Sequence, residues 1–192
     1  ARRAGLKSIP IILRDLDDID MLKFMGRENG EDYNSDFTIM LETWEAAMNT
    51  IPDYSGISIA RLLGWTRLKR TAKRDAKNLG PSEVMNETAE ACANAADLIA
   101  SGVLKRSDFN GVSVGTARKV AQKAKLRISQ FERSAKAHNV SDEKLEAAKK
   151  EVGKGAAEVM EKVASGEIAT KDAGNFHDSG ALNRPRTGPK SK

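Results

Sequence analysis

Two stretches of this chain carry residue types and spacings that could do chemistry. The first is "MGRENGEDYNSD", Met25 to Asp36, where Glu28, Glu31, Asp32 and Asp36 crowd around Asn29. Carboxylates gathered this closely are the oxygen ligands that Mg²⁺ takes, and Glu28 is the candidate ligand. A solvated turn is the plain alternative. The second stretch runs from Ile57 to Arg74. Ala60 is small enough for two helices to cross closely, Gly64 suits a turn that needs a positive φ, and Ile59 and Leu63 are flanking core residues. The segment is strongly basic, with seven Lys or Arg against one Asp between Arg61 and Lys77. This is the pattern of a helix-turn-helix whose second helix, from Thr66 to about Lys77, enters a DNA major groove. Thr66, Arg67, Lys69, Arg70, Lys73 and Arg74 are its candidate DNA contacts. An Arg there can donate two hydrogen bonds to guanine, and the others would meet phosphates. Lys105, Arg106, Arg118 and Lys119, with Lys123, Lys125 and Arg127, would extend the footprint; the alternative for each is a solvated helix face. Trp65 at the turn reads as a packing residue.

Other chemistry is poorly represented. Cys92 lies in an Ala-rich stretch and reads as a small buried residue. No G-x-S-x-G, Walker loop or H-E-x-x-H occurs. His138 and His177 lie far apart and near no second cysteine, which argues against zinc. One cysteine excludes an internal disulfide framework and fits a reducing cytoplasm. No apolar run approaches the ~20 residues of a membrane span. "ARRAGLKSIP" lacks the apolar stretch of a signal peptide.

The 192 residues suit one or two domains, and with aromatics at 5% the core must rely on Leu, Ile, Val, Met and Ala. The net charge of +5 conceals an asymmetry. Asp17 to Glu45 holds nine acidic residues and two basic ones, whereas Thr116 to Lys136 holds seven basic and one acidic. A polyanion partner for the basic part is one reading, and Lys- and Arg-rich solvated helices are the other.

The elements that must position these residues are mostly helical. "ARRAGLK" reads as a helix end and Ile9 to Arg14 as one short strand. A strand without partners leads us to expect a chain lacking its N-terminal portion. Asp17 or Asp18 caps a helix to about Arg27, with Ile19, Leu22 and Met25 on one face. Ser35 caps a second helix along Phe37, Met40, Leu41, Trp44, Met48 and Ile51, ended by Pro52. A short helix from about Ile57 stops at Gly64. Pro81 and Ser82 open an Ala-rich helix to about Ser101, including Val84 and Met85, and Gly102 ends it. A long basic helix follows, from about Val114 to Lys136. Ser141 then caps a charged helix striped by Leu145, Ala148, Val152, Val159 and Val163, weakened by Gly153 and Gly155 at about 1 kcal/mol each. It is either a seam for a partner helix or an amphipathic helix on the body. From Gly166 the composition is that of a disordered tail.

The order of these segments resembles the ParB family of DNA partition proteins, of the ParB/RepB/KorB type. "ARRAGLKSIPIILRDLDD" looks like the end of a family helix and the strand after it, and "RENGEDYNSD" stands where the family has its Glu-Asn-x-x-Arg box. "TIMLETWEAAM" resembles the helix after the box, "SIARLLGW" the helix-turn-helix, and "LIASGVLKRSDFNGVS" the segment beyond it. The resemblance covers about residues 1 to 128. It implies a mainly α fold: residues 1–51 as the C-terminal remnant of an α/β domain, 52–138 as the helix-turn-helix domain, 139–168 as a charged amphipathic helix and 169–192 as a basic tail. It implies binding to a centromere-like double-stranded DNA site in plasmid or chromosome partition, as a homodimer with a ParA-type ATPase partner, in the cytoplasm on nucleoid or plasmid. Alternatives are a CTP-dependent clamp hydrolysing CTP with Mg²⁺, a nuclease, or a repressor of the KorB type. Glu28 and Asn29 match the nucleotide box, but Asp32 stands where the family has Arg, and no Gly-x-Arg-Arg phosphate box occurs. An enzyme is therefore not expected of this chain, while DNA binding does not depend on those residues.

Overall fold

A computed structural model of the chain describes residues 15–30, 36–53, 55–69 and 82–174. The expected strand Ile9 to Arg14 lies outside them. The elements are α1 (Asp18–Gly30), α2 (Phe37–Thr50), α3 (Gly56–Leu62), β1 (Thr66–Lys69), β2 (Ser82–Met85), α4 (Glu87–Ala100), α5 (Val114–His138) and α6 (Asp142–Ala164). Short 3₁₀ turns lie at Arg106–Phe109 and Thr170–Asp172. The fold is mainly helical, with one small antiparallel sheet.

Helix starts follow local chemistry. The Asp17 carboxylate accepts from the Asp20 amide at 2.7 Å and caps α1. Asp36, rather than the expected Ser35, caps α2 by accepting from the Thr38 amide at 3.1 Å. An acidic residue one place nearer the helix wins because it also meets the positive end of the helix dipole. Asp36→Ala is expected to cost about 1 kcal/mol in a denaturant titration; an unchanged midpoint would show the cap to be idle.

The core is built by helix faces with period 3.6. Phe37, Met40, Leu41, Trp44 and Ala47 of α2 are buried, as the spacing predicts, whereas Met48 is exposed and Ile51 only half-buried. On α1 Leu22 is buried, but Ile19, Met21 and Phe24 are each more than 40% exposed. The Ala-rich face of α4 packs on α5 through Ala91, Cys92 and Ala95 against Ala117, Ala121 and Ala124, all fully buried. Small side chains let the two backbones approach, and burial with the nearby Glu45 charge pushes the Cys92 thiol well above its ordinary range.

Helix α6 packs on α5 and buries Val152, Ala156, Val159 and Met160; of the expected stripe Val152 and Val159 are buried, and Leu145, Ala148 and Val163 are half-buried. Gly153 and Gly155 are buried there. Residues 166–174, where a disordered tail was expected to open, fold back: Ala173 is fully buried and the Thr170 carbonyl accepts from Lys119 Nζ at 3.1 Å.

The largest departure concerns the segment after Gly64. The expected second helix does not begin at Thr66, because residues 66–69 form β1, paired with β2 in the register Thr66 to Met85, Arg67 to Val84, Leu68 to Glu83 and Lys69 to Ser82. Val84 and Met85 are therefore strand residues, and α4 starts only at Glu87, capped by Asn86, whose side chain accepts from the Ala89 amide at 3.0 Å. Thr66 and Val84 are β-branched and favour a pleated surface, and Asn86 with Glu90 makes a stronger helix start than Ser82 does.

Candidate nucleic-acid interface

The site is built outward from the α3 turn. Ala60 and Leu63 are fully buried and Ile59 nearly so, and Gly64 adopts φ +74°. A residue with a Cβ avoids that conformation, so glycine here lets the chain leave α3 sharply. It leaves into a ribbon. Trp65, 1% exposed, sits at the ribbon's root. Its amide donates to the Ala60 carbonyl at 2.7 Å and its carbonyl accepts from the Asn86 amide at 2.9 Å, so one residue closes both α3 and the base of the β1–β2 pair. Its indole Nε1 donates to the Gly26 carbonyl at 2.7 Å, and its ring stacks on Trp44 with centroids 6.4 Å apart. Trp65 thus packs as expected.

Glu83 fastens the next rung. Its carboxylate accepts from Arg61 Nε of α3 and from Thr66 Oγ1, each at 2.7 Å. Those two hydrogen bonds, Arg61 first, hold its carboxyl below the ordinary range, so the latch keeps its charge until pH falls below that range. Cross-strand partners share a face. Thr66, Leu68, Glu83 and Met85 therefore form the face turned to α3, and Arg67, Lys69, Ser82 and Val84 form the opposite one. Arg67, Leu68 and Lys69 are exposed, Leu68 at 68%. Neither Arg67 nor Lys69 has an acidic partner among the described residues.

The other expected contacts fare differently. Arg70, Lys73 and Arg74 lie outside the described residues. Arg106 pairs with Glu45 at 2.8 Å and more loosely with Glu42, tying the 3₁₀ turn to α2. Arg118 bridges Glu87 at 2.7 Å and Glu90 at 3.2 Å, tying α5 to α4. Lys119 is engaged with Thr170. Lys105 is exposed. Sequence spacing could not reveal these pairings, because each joins residues from separate elements. It also missed a cleft of about 500 Å³ lined by Lys23, Arg27, Ser58, Arg61, Leu62 and Gly64 beside the ribbon's root. Lys23 is paired with Asp20 and Arg61 with Glu83, leaving Arg27 without an acidic partner among the described residues.

The stretch expected to match a nucleotide box is only partly among the described residues. Asn29 Nδ2 donates to Thr43 Oγ1 at 2.8 Å, so its amide joins α1 to α2. Glu28 is exposed near the end of α1. Glu31 and Asp32 lie outside the described residues. Among the described residues no group of three or more His, Cys, Asp or Glu is placed to hold a metal ion. No helix among the described residues is long and apolar enough to cross a membrane.

No protein-family model and no solved structure matches the chain. It is 30% identical over 131 residues to the chromosome-partitioning protein ParB of Caulobacter vibrioides, with the same figures in strain NA1000 / CB15N and strain ATCC 19089 / CIP 103742 / CB 15. The match takes in 65% of this chain and 42% of each relative, so the chain spans well under half the length of the curated relatives it matches. That similarity, over a mainly helical body with a cationic ribbon rooted at the α3 turn, supports a ParB-like relationship for this chain.

Proposed function

We propose that the chain is a DNA-binding protein of chromosome or plasmid partition, contacting double-stranded DNA through the unit formed by α3, the β1–β2 ribbon and α4. One observation carries the reading. The turn after α3 holds Arg67 and Lys69 out into solvent on a fixed root, without acidic partners among the described residues. Cations held that way release counterions when they meet phosphates, and this dominates affinity for DNA. The similarity to a chromosome-partitioning protein supports the biological setting. A homodimer on a palindromic centromere-like site, a ParA-type ATPase partner, and residence on nucleoid or plasmid belong to the same reading. A repressor of the KorB type would use the same DNA surface. Nothing in the placement of Glu28 and Asn29 favours CTP hydrolysis or nuclease chemistry over it.

The test is fluorescence anisotropy of the full chain with a labelled duplex at ~50, ~100 and ~200 mM salt. Binding that weakens linearly in log K against log salt is expected, with a slope of several units if several phosphates are contacted. Absence of binding at the lowest salt, or salt-independent binding, would sink the reading. Selection from a random duplex pool then tests for a preferred sequence, and two-fold symmetry in the recovered motif tests for a dimer.

A further inference from the structure

We infer that the cleft between α1 and α3 is a binding site for a phosphate group, with Arg27 as its principal ligand and Lys23, Arg61 and Ser58 around it. The DNA-binding unit proposed above consists of α3, the ribbon and α4, whereas Arg27 and Lys23 belong to α1. The cleft has a volume of about 500 Å³, and its lining holds three cations, one hydroxyl and no carboxylate. A recess lined by charge of one sign concentrates ions of the other sign. Local geometry brings these cations together. Lys23 and Arg27 sit four residues apart on α1, and Ser58, Arg61 and Leu62 share a face of α3. Beside them the two helices meet backbone to backbone. A Cβ on Gly26 would lie 2.5 Å from the Leu63 oxygen and 2.7 Å from its Cα, and the Trp65 indole holds the Gly26 carbonyl at 2.7 Å. Arg27 follows Gly26 in sequence and Gly64 follows Leu63, so this pinned contact fixes both walls of the cleft. A site held in place before its ligand arrives loses less freedom on binding.

The lining cations are unequally committed. Lys23 pairs with Asp20, and Arg61 gives Nε and Nη2 to Glu83, each at 2.7 Å. Arg27 is exposed and has no acidic partner among the described residues. Its guanidinium is a planar fork that matches two oxygens of one phosphate. Ser58 shares a hydrogen bond with Ser55 at 3.0 Å, and its hydroxyl can donate to a ligand oxygen when Ser55 donates to it. Lys23 and Arg61 add positive field from either wall. Two sources carry this chemistry. One is a backbone phosphate of a duplex, because α3 ends in the turn proposed to face DNA; this source rests on the DNA-binding reading. The other is the phosphate of a small molecule, which does not.

The experiment takes the full chain and its variants Arg27→Ala, Arg27→Lys and Lys144→Ala, after thermal melts show each folded. Lys144 is an exposed cation of α6 outside the cleft, so its removal controls for net charge. Each protein is titrated with inorganic triphosphate by calorimetry and with a labelled duplex by anisotropy. Arg27→Ala should weaken phosphate binding about tenfold, the effect of one charge-assisted hydrogen bond. Arg27→Lys should recover part of that loss, and Lys144→Ala should bind as the wild type does. A loss on the duplex, with a salt slope lower by about 0.9, assigns the site to a DNA phosphate, whether or not triphosphate binding falls with it. A loss on triphosphate alone assigns it to a small molecule. The inference is overturned if Arg27→Ala matches the wild type on both, if Lys144→Ala loses as much as Arg27→Ala, or if the wild type binds neither probe. A wild type that binds triphosphate through Arg27 but no duplex leaves the site standing and removes the DNA-binding reading, so the two failures are told apart.

Discussion

Gly153→Ala is expected to destabilise the folded chain by about 2 kcal/mol, although alanine is the better helix former by about 1 kcal/mol. A Cβ at position 153 would lie 2.1 Å from the Val103 carbonyl oxygen, 3.1 Å from its carbonyl carbon and 3.2 Å from Cγ1. Two of these atoms are backbone, so no rotamer change relieves the overlap. Helix α6 would have to lift from the loop after α4, loosening Val152 and Ala156, which are both fully buried. Overpacking of this kind costs about 3 kcal/mol at the upper end of the usual range, against which the propensity gain is subtracted. For a chain of this size the melting temperature should fall by roughly 4–8 °C. Gly115→Ala is the control: nothing lies within 4 Å of its Cβ, so the same exchange inside α5 should be neutral or mildly stabilising. If Gly153→Ala melts at or above the wild type, then α6 does not depend on that approach.

Gly153 also marks the limit of what the sequence could say. From sequence it counts as a weak point in a striped helix, whereas in the fold it is the contact that lets α6 lie down. The difference is a tertiary one, since Val103 is fifty residues away. The helical period located α2, α3, α5 and α6 closely, because each gathers its apolar residues on one face. They failed at residues 66–69 and 82–85. There the basic run "TRLK" suits a helix surface as well as an exposed strand, and the pairing that decides between them joins positions up to nineteen residues apart. Gly64, Ala60 and Leu63 were legible because a turn with positive φ and a buried small residue leave local traces. The charge pattern found the basic segment but could not tell a free cation from a paired one. Arg67 and Arg118 look alike in sequence, yet the first is exposed without an acidic partner among the described residues and the second is locked on Glu87 and Glu90.

Trp65→Ala should cost more than any other single change considered, about 3–5 kcal/mol, the range for truncating a large buried aromatic. The residue is 1% exposed, stacks on Trp44 and donates from its indole to the Gly26 carbonyl of α1. Its removal also strips the Gly26 carbonyl of its indole donor at a point where α1 lies hard against Leu63: a Cβ on Gly26 would sit 2.5 Å from the Leu63 oxygen. A loss of that size approaches the whole stability of a small domain, so the variant will be poorly populated at room temperature. Trp65→Phe separates the two contributions. It keeps an aromatic ring near Trp44 but deletes the N–H and with it the hydrogen bond to the Gly26 carbonyl, at a cost of about 0.5–1.5 kcal/mol. Urea titrations followed by helical circular dichroism rank the three proteins. The order wild type, Trp65→Phe, Trp65→Ala is expected, and a Trp65→Ala midpoint equal to the wild type would refute the anchoring role. Because the same indole holds the ribbon's root, Trp65→Phe should also weaken DNA binding while the cations of the ribbon stay in place. That loss should leave the salt slope unchanged, since no phosphate contact is deleted. It would then reflect a ribbon presented less rigidly, the entropic cost that a fixed root removes.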